Sequence, residues 1–138
     1  MIERSLFLIK PNAVYHRHIG HIISILEEHG FRILDMKLVH FDTQLCRLFY
    51  AEHLQKDFYT GLESFMRSGP TVALLLEKEN AIHLLREIMG DVIPAKRNAG
   101  TIRALYGEGI TDNGAHASDS QQSAQREISI IFPESTVR

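Results

Sequence analysis

Two uninterrupted apolar runs constrain this chain more than any other feature. "SLFLI" (5–9) is closed by Lys10-Pro11-Asn12, and "TVALLL" (71–76) follows the turn signal Ser68-Gly69-Pro70. A strand with one solvated face alternates apolar and polar residues. A run without alternation, short and bounded by turn residues, belongs instead to a strand buried on both faces. Both runs are therefore expected at the centre of a sheet. "FRILDMKLVHF" (31–41) does alternate, with Leu34, Met36 and Leu38 on one side and Asp35 and Lys37 on the other. It predicts a strand with one buried face.

Helical spacing fills the intervals. Ile19, Ile22, Ile23 and Leu26 share a helical face, and Gly30 stands where a C-cap is expected. Residues 43–67 read as helix in two pieces, broken near Lys56-Asp57. Ala81, Leu84, Leu85 and Ile88 mark another helix, which Gly90 stops. "GAHAS" (114–118) is a candidate short strand, and Asp119 or Ser120 can cap a helix carrying Ala124, Ile128 and Ile131. Residues 90–115 are punctuated by Gly90, Pro94, Gly100, Gly107, Gly109 and Gly114. So long an irregular segment in a compact domain is usually functional. Four strands with helices between them make one sheet with helices packed on it; the pattern leaves open whether neighbouring strands run parallel or antiparallel. A chain of 138 residues with 44% hydrophobic content is expected to form a single domain over 1–138.

Charge and cysteine usage narrow the functional classes. The net charge of −2 disfavours nucleic acid as a partner, because non-specific affinity comes largely from neutralising phosphates. Yet Arg86, Lys96, Arg97 and Arg103 crowd into one segment, enough for a small anionic ligand. Cys46 is the only cysteine, which fits a reducing compartment. The apolar run in "MIERSLFLIKPN" is too short for a secretory signal, and no stretch is long enough for a membrane span. The expectation is a cytoplasmic protein.

"NGAHASDS" (113–120) places His116 between two alanines and ahead of Ser118, Asp119 and Ser120. The ordinary reading of a histidine is a hydrogen-bonded strand end. Here small neighbours suggest clearance for something approaching the ring, and a neutral imidazole oriented through its second nitrogen is a nucleophile. Glu127, one helix further on, is a candidate to orient it. Lys10 ends a buried strand, Arg86 lies in a helix and Arg103 in the long segment; each alone is an ordinary surface cation. Together with His116 they suggest a phosphate pocket, since guanidinium forks and ammonium groups clamp phosphoryl oxygens. No GxxxxGK[ST] or GxGxxG is present. "HRHIGH" (16–21) lacks a completing ligand and reads as a solvated face. Phe58 and Tyr59 read as core, or as an exposed ring able to stack on a base.

The quoted blocks, taken in order, make the chain resemble the nucleoside diphosphate kinases along essentially its full length. "IKPN" (9–12) is similar to the family's I-K-P-D. "RSGPTVALLLE" (67–77), "REIMG" (86–90) and "NAGTIRALYG" (98–107) are similar to its middle blocks, "NGAHASDS" to its signature N-x-x-H-[G/A]-S-D, and "SAQREI" (123–128) to the following helix. The resemblance implies a ferredoxin-like α+β fold, with a four-stranded antiparallel sheet, helices on one face and a long loop near 90–112. It implies transfer of the γ-phosphate of a nucleoside triphosphate to a nucleoside diphosphate, ping-pong, through a phosphohistidine at His116. Glu127 and Ser118 match the pair orienting that histidine. Lys10, Tyr50, Arg86, Arg103 and Asn113 match the phosphate, catalytic and ribose contacts. Phe58 matches the aromatic under the base, with Ile110 across from it in place of a valine. Mg2+ is implied as cofactor, held mainly by the nucleotide rather than by protein ligands, and a homo-oligomer is implied as the assembly.

Four positions depart from that pattern. Val92 replaces a threonine whose hydroxyl meets a phosphate, Ile93 an asparagine, Lys56 an arginine and Asn12 an aspartate. A lost neutral hydrogen bond is worth roughly 0.5–1.5 kcal/mol, which weakens binding without abolishing chemistry. Val92 and Lys56 support the rival reading, a nucleotide-binding or regulatory module with decayed catalysis. The chain ends at "FPESTVR" without the longer tail and tryptophan often found in the family, which leaves the assembly size open.

Overall fold

A computed structural model describes residues 1–134. The two continuous apolar runs form β1 (Ile2–Ile9) and β3 (Thr71–Glu79), paired antiparallel from Ile2–Glu79 to Ile9–Val72. β2 (Arg32–Val39) adds to the far side of β3, and the short β4 (Ala115–Ala117) adds to the far side of β1. The order is β2-β3-β1-β4, with every neighbouring pair antiparallel. That is the expected four-stranded sheet, and it settles the strand direction that periodicity leaves open.

The helices correspond to the predicted segments. They are α1 (Pro11–Tyr15), α2 (Ile19–Glu28), α3 (Thr43–Phe49), α4 (Tyr59–Met66), α5 (Ala81–Met89), α6 (Ile102–Tyr106) and α7 (Gln121–Ile131). α1 and α6 are additions: what the sequence suggests as a turn is one helical turn started by Pro11, whose missing N–H costs nothing there, and residues 102–106, inside the segment expected to be irregular, are helical behind the N-cap Thr101. Ser120, not Asp119, caps α7, its hydroxyl accepting the Ser123 N–H at 3.0 Å. Residues 90–114 contain only α6 and a 3-10 turn at Pro94–Lys96. "STVR" (135–138), the end of the segment on which the tail argument rests, lies outside the described residues.

The placement of helices on one face needs correction. Phe7, Ile9, Leu74 and Leu76 face a core closed by α2, α5 and α6. The alternate residues Leu6, Leu8 and Leu75 face a second core, closed by α3, α4 and α7 through Phe49, Leu62 and Ile131. The physical reason is already in the runs themselves, since a strand without polar alternation cannot leave either face wet.

β2 also departs from expectation. Met36 and Leu38 are 52% and 57% exposed, although the alternation puts them with the partly buried Leu34. Ile33 pairs with Leu76 and Asp35 with Leu75, so β2 advances two residues while β3 advances one. This bulge swaps the two faces of β2, and the residues beyond it change sides. Leu34 packs on the second core, while Met36 and Leu38 turn away from it and stay exposed on an edge strand.

Two covered faces give a direct prediction. Leu6→Ala and Phe7→Ala, one from each core and both fully buried, are each expected to cost about 2–5 kcal/mol in urea unfolding. A near-neutral Leu6→Ala would mean that the α3/α4/α7 side is not a true core.

Candidate active site

The pleat of β4 aims His116. β4 pairs with β1 so that His116 lies opposite Leu8, flanked by the pairs Ile9–Ala115 and Phe7–Ala117. Side chains alternate along a strand, so His116 emerges on the α3/α7 side. Ala115 and Ala117 point the other way, into the first core under α5. Their smallness therefore lets α5 approach β4, and does not make clearance in line with the ring as the sequence suggests.

α7 supplies the partner. Glu127 lies in its second turn, 6% exposed, with Oε1 2.9 Å from His116 Nε2 and 2.8 Å from the Ser118 hydroxyl that donates to it. Ser118 Oγ in turn accepts the Leu6 N–H at 3.2 Å. The carboxylate is thus fixed by β4 and β1 before it meets the ring. An imidazole that donates Nε2–H to a carboxylate carries a lone pair on Nδ1. The Phe49 ring packs edge-on against the imidazole at 5.3 Å between centroids.

A cavity of about 320 Å³ opens beside the ring, and Tyr50, Arg86, Val92, Arg103, His116 and Glu127 all line it. Arg86 reaches it from the last turn of α5, bonded to the Ala117 carbonyl at 3.3 Å. Arg103 is buried, placed by α6, whose N-cap Thr101 accepts the Ala104 N–H. Gly90, at φ +93°, ends α5, and a Cβ there would lie 2.5 Å from Thr101 Oγ1. Arg103 donates to Gly90 and Ala115 carbonyls at 3.1 and 2.9 Å, while its buried Nε–H has no partner among the described residues. Burial first, then Arg86 and Arg97, lower its pKa to about 10. The buried Tyr50 hydroxyl is likewise unpartnered, its pKa raised chiefly by burial.

The other expected residues lie around this cavity and do not line it. Lys10 and Asn113 are buried where β1 and β4 meet: Lys10 N–H donates to Gly114 O at 2.9 Å, and Asn113 Nδ2 to Ile110 O at 2.7 Å. Burial, with Arg103 second, lowers the Lys10 ammonium to about 7. Phe58 and Ile110 are exposed, at 52% and 57%.

Sequence reading missed several cavity residues. His53 follows Tyr50 by one turn, contacts the Phe58 ring at 5.4 Å, and buries an unpartnered Nδ1. The spacing Tyr50–His53 was the available signal. Asp119 also lines the cavity, and its carboxyl is held below the usual range by Ser123, then by the Arg86 charge. Arg126 pins the end of α3 through the Leu48 and Phe49 carbonyls at 3.2 and 2.9 Å. The "HRHIGH" histidines are not simply solvated: His16 pairs with Glu108 at 3.2 Å, and His18 and His21 contact Tyr106.

The family model for nucleoside diphosphate kinase matches residues 3–137. The chain belongs to the nucleoside diphosphate kinase family. It is similar to the nucleoside diphosphate kinase of Aquifex aeolicus, at 38% identity over 96% of each chain with a TM-score of 0.93. It is also similar to a halophilic nucleoside diphosphate kinase from Halobacterium salinarum, solved in complex with CDP, at 34% identity over 97% of this chain and 90% of that one, TM-score 0.93. Membership makes the protein a nucleotide phosphotransferase and does not favour the decayed-module reading. Enzymes of the family use divalent metal ions. Among the described residues, no group of three or more His, Cys, Asp and Glu gathers as a metal cage, and no helix there is long and apolar enough to cross a membrane.

The buried amine carries a pH signature. Below about pH 7 Lys10 is charged in both folded and unfolded chains, and the cost of burying that charge is fully present. Between about 7 and the ordinary 10.5 the folded amine is neutral while the unfolded one is charged, so stability recovers as pH rises. Lys10→Met should therefore exceed the native chain in urea resistance at pH 6, with the gap narrowing towards pH 10.

Proposed function

We propose that the enzyme transfers phosphate by a ping-pong route through His116. The observation that carries this reading is the Glu127–His116 bond of 2.9 Å, which leaves Nδ1 as the free nitrogen of a ring facing a cation-lined cavity. The Nδ1 lone pair attacks the γ-phosphorus of a nucleoside triphosphate. The Nδ1–P bond forms as the β–γ bridging P–O bond breaks, and the diphosphate departs with that oxygen. The Nε2 proton stays on the ring, held by Glu127, and Ser118 keeps the carboxylate in place. A second nucleoside diphosphate then takes the phosphoryl group in reverse.

Arg86, Arg103 and the Tyr50 hydroxyl are assigned to the transferred phosphoryl group, whose spread charge calls for positioning and neutralisation. The unpartnered Tyr50 O–H and Arg103 Nε–H support this, because buried donors seek acceptors. Lys10 and Asn113 are assigned to ribose hydroxyls and phosphate; an arriving anion would restore the Lys10 proton. Phe58 and Ile110, both exposed, are assigned to the two faces of the base. Stacking tolerates any base, which suits an enzyme that makes the several nucleoside triphosphates. Val92 is assigned to the phosphate neighbourhood without a hydroxyl.

The cavity donors fit a metal that arrives on the nucleotide, because Arg86 and Arg103 dominate and Glu52 and Asp119 are its carboxylates besides Glu127. We assign Mg2+, which Asp119 and Glu52 would help to hold beside the nucleotide and which would supply neutralisation of phosphate charge. The exposed Met36 and Leu38 on edge strand β2 support a homo-oligomer. A single domain over 1–138 working in the cytoplasm completes the reading.

With γ-labelled ATP and Mg2+, acid-labile label is expected on His116 and is expected to move to added GDP. Label that persists in His116→Ala would defeat the assignment. Glu127→Gln, which keeps the shape and removes the charge, should slow phosphohistidine formation by about 10²-fold in rapid-quench assays. Val92→Thr should tighten nucleotide binding by about 0.5–1.5 kcal/mol in calorimetric titration, through the restored hydroxyl.

A further inference from the structure

Of the cations crowded between 86 and 103, Arg86 and Arg103 line the cavity, and Arg97 does not. The Arg97 guanidinium donates to main-chain carbonyls on every side. Nε–H meets Asp91 O at 2.9 Å, Nη2 meets Val92 O at 2.9 Å and Gly109 O at 2.7 Å, and Nη1 meets Arg103 O at 3.4 Å. Those carbonyls lie on separate stretches: the segment leaving α5, the helix α6, and the segment that leads into β4. The same stretches carry Val92, Arg103 and, beside Gly109, Ile110.

Little else holds the first stretch. Residues 91–100 are exposed apart from Arg97 itself. Their backbone bonds are local, such as Lys96 N–H to Ile93 O, Arg97 N–H to Pro94 O and Thr101 N–H to Asn98 O. A segment with so little buried apolar surface has no hydrophobic reason to keep one position. A planar fork of N–H groups can tie several carbonyls at once, which the single point of a lysine ammonium cannot. The neighbouring chain also leaves room for the fork. A Cβ at Gly107 would come within 2.8 Å of Arg97 Nη1, 2.6 Å of Arg103 O and 2.8 Å of Asn113 O.

We infer that Arg97 is a positioning residue, whose guanidinium ties together the stretches bearing Val92, Arg103 and Ile110 and so sets nucleotide affinity without touching the nucleotide. The inference rests on the reading of the cavity as the nucleotide site. It assigns the loss in Arg97 variants to binding and not to the chemical step, because the Glu127–His116 pair is held independently by β1 and α7.

The test uses Arg97→Lys, Arg97→Met and Gly107→Ala, each checked by circular dichroism at the assay temperature. KM for both nucleotides is expected to rise on the order of tenfold in all three, while kcat changes much less. Arg97→Lys should fail to rescue, because it keeps the charge and loses the fork. Should Arg97→Met not fold, Arg97→Lys carries the test, retaining stem and charge. Native KM in Arg97→Lys would overturn the inference in favour of a simple charge effect. A fall in kcat at unchanged KM, or a lower melting temperature alone, would overturn it too. Calorimetric titration with ADP reads affinity without turnover. Weaker ADP binding in the Arg97 variants with no label on His116 in the native enzyme would sink the ping-pong reading and leave the tie standing. Normal labelling and ADP binding in those variants would do the opposite.

Discussion

β1 is the strand on which the rest of the molecule depends. It has a hydrogen-bonded neighbour along each edge and a core against each face. Its residues therefore have almost no freedom, and the site borrows that rigidity three times. Leu8 sets the row of His116, the Leu6 N–H holds Ser118, and the N–H of Lys10, the residue just after the strand, holds Gly114 at the entrance to β4. The imidazole, its carboxylate and the buried amine are all referred to one fixed segment. Preorganisation of this kind lets a small site act without reorganising as charge moves.

The buried cations around the cavity are electrostatically unbalanced. Arg103 and Lys10 are buried near one another, and each has its pKa lowered chiefly by loss of water. Carbonyls of Gly90 and Ala115 satisfy part of Arg103, and Asp112 offsets only part of the burial cost of Lys10. A fold that tolerates such a cost holds back favourable energy that the polyphosphate proposed for this site would release. The Asp119 carboxyl, kept ionised by Ser123 and Arg86, lies on the same wall and limits the excess of positive charge.

Much of this was legible in the sequence, for identifiable reasons. Strands β1 and β3 announced themselves because burial on both faces leaves no polar position to confuse the pattern. The helix caps and the signature around His116 are local, and local chemistry survives in a one-dimensional reading. Apart from the short helices α1 and α6, whose starts at Pro11 and Thr101 are local, the misses were relational. The bulge at Leu34 is a property of the pairing with β3, so the faces assigned to Met36 and Leu38 could not be read from β2 alone. Ala115 and Ala117 are small because α5 presses on the opposite face, a neighbour distant in sequence. His53 offered only its spacing from Tyr50, and Arg97 was one of several crowded cations; their surroundings single them out. The coverage of both sheet faces, by contrast, was implied by the apolar runs themselves, and the expected one-sided arrangement contradicted it.

His116 projects from a strand, although the segment before it is a loop, and this bears on how such a sequence can change. Loops absorb added or lost residues by bulging outward. Within the three paired residues of β4, a single insertion or deletion would reverse parity, sending an alanine into the cavity and the imidazole into the core beneath α5. Length variation is thus closed within β4 by parity, and ahead of β4 it is open only to loop stretches that neither the Lys10–Gly114 bond nor the Arg97 ties hold in place.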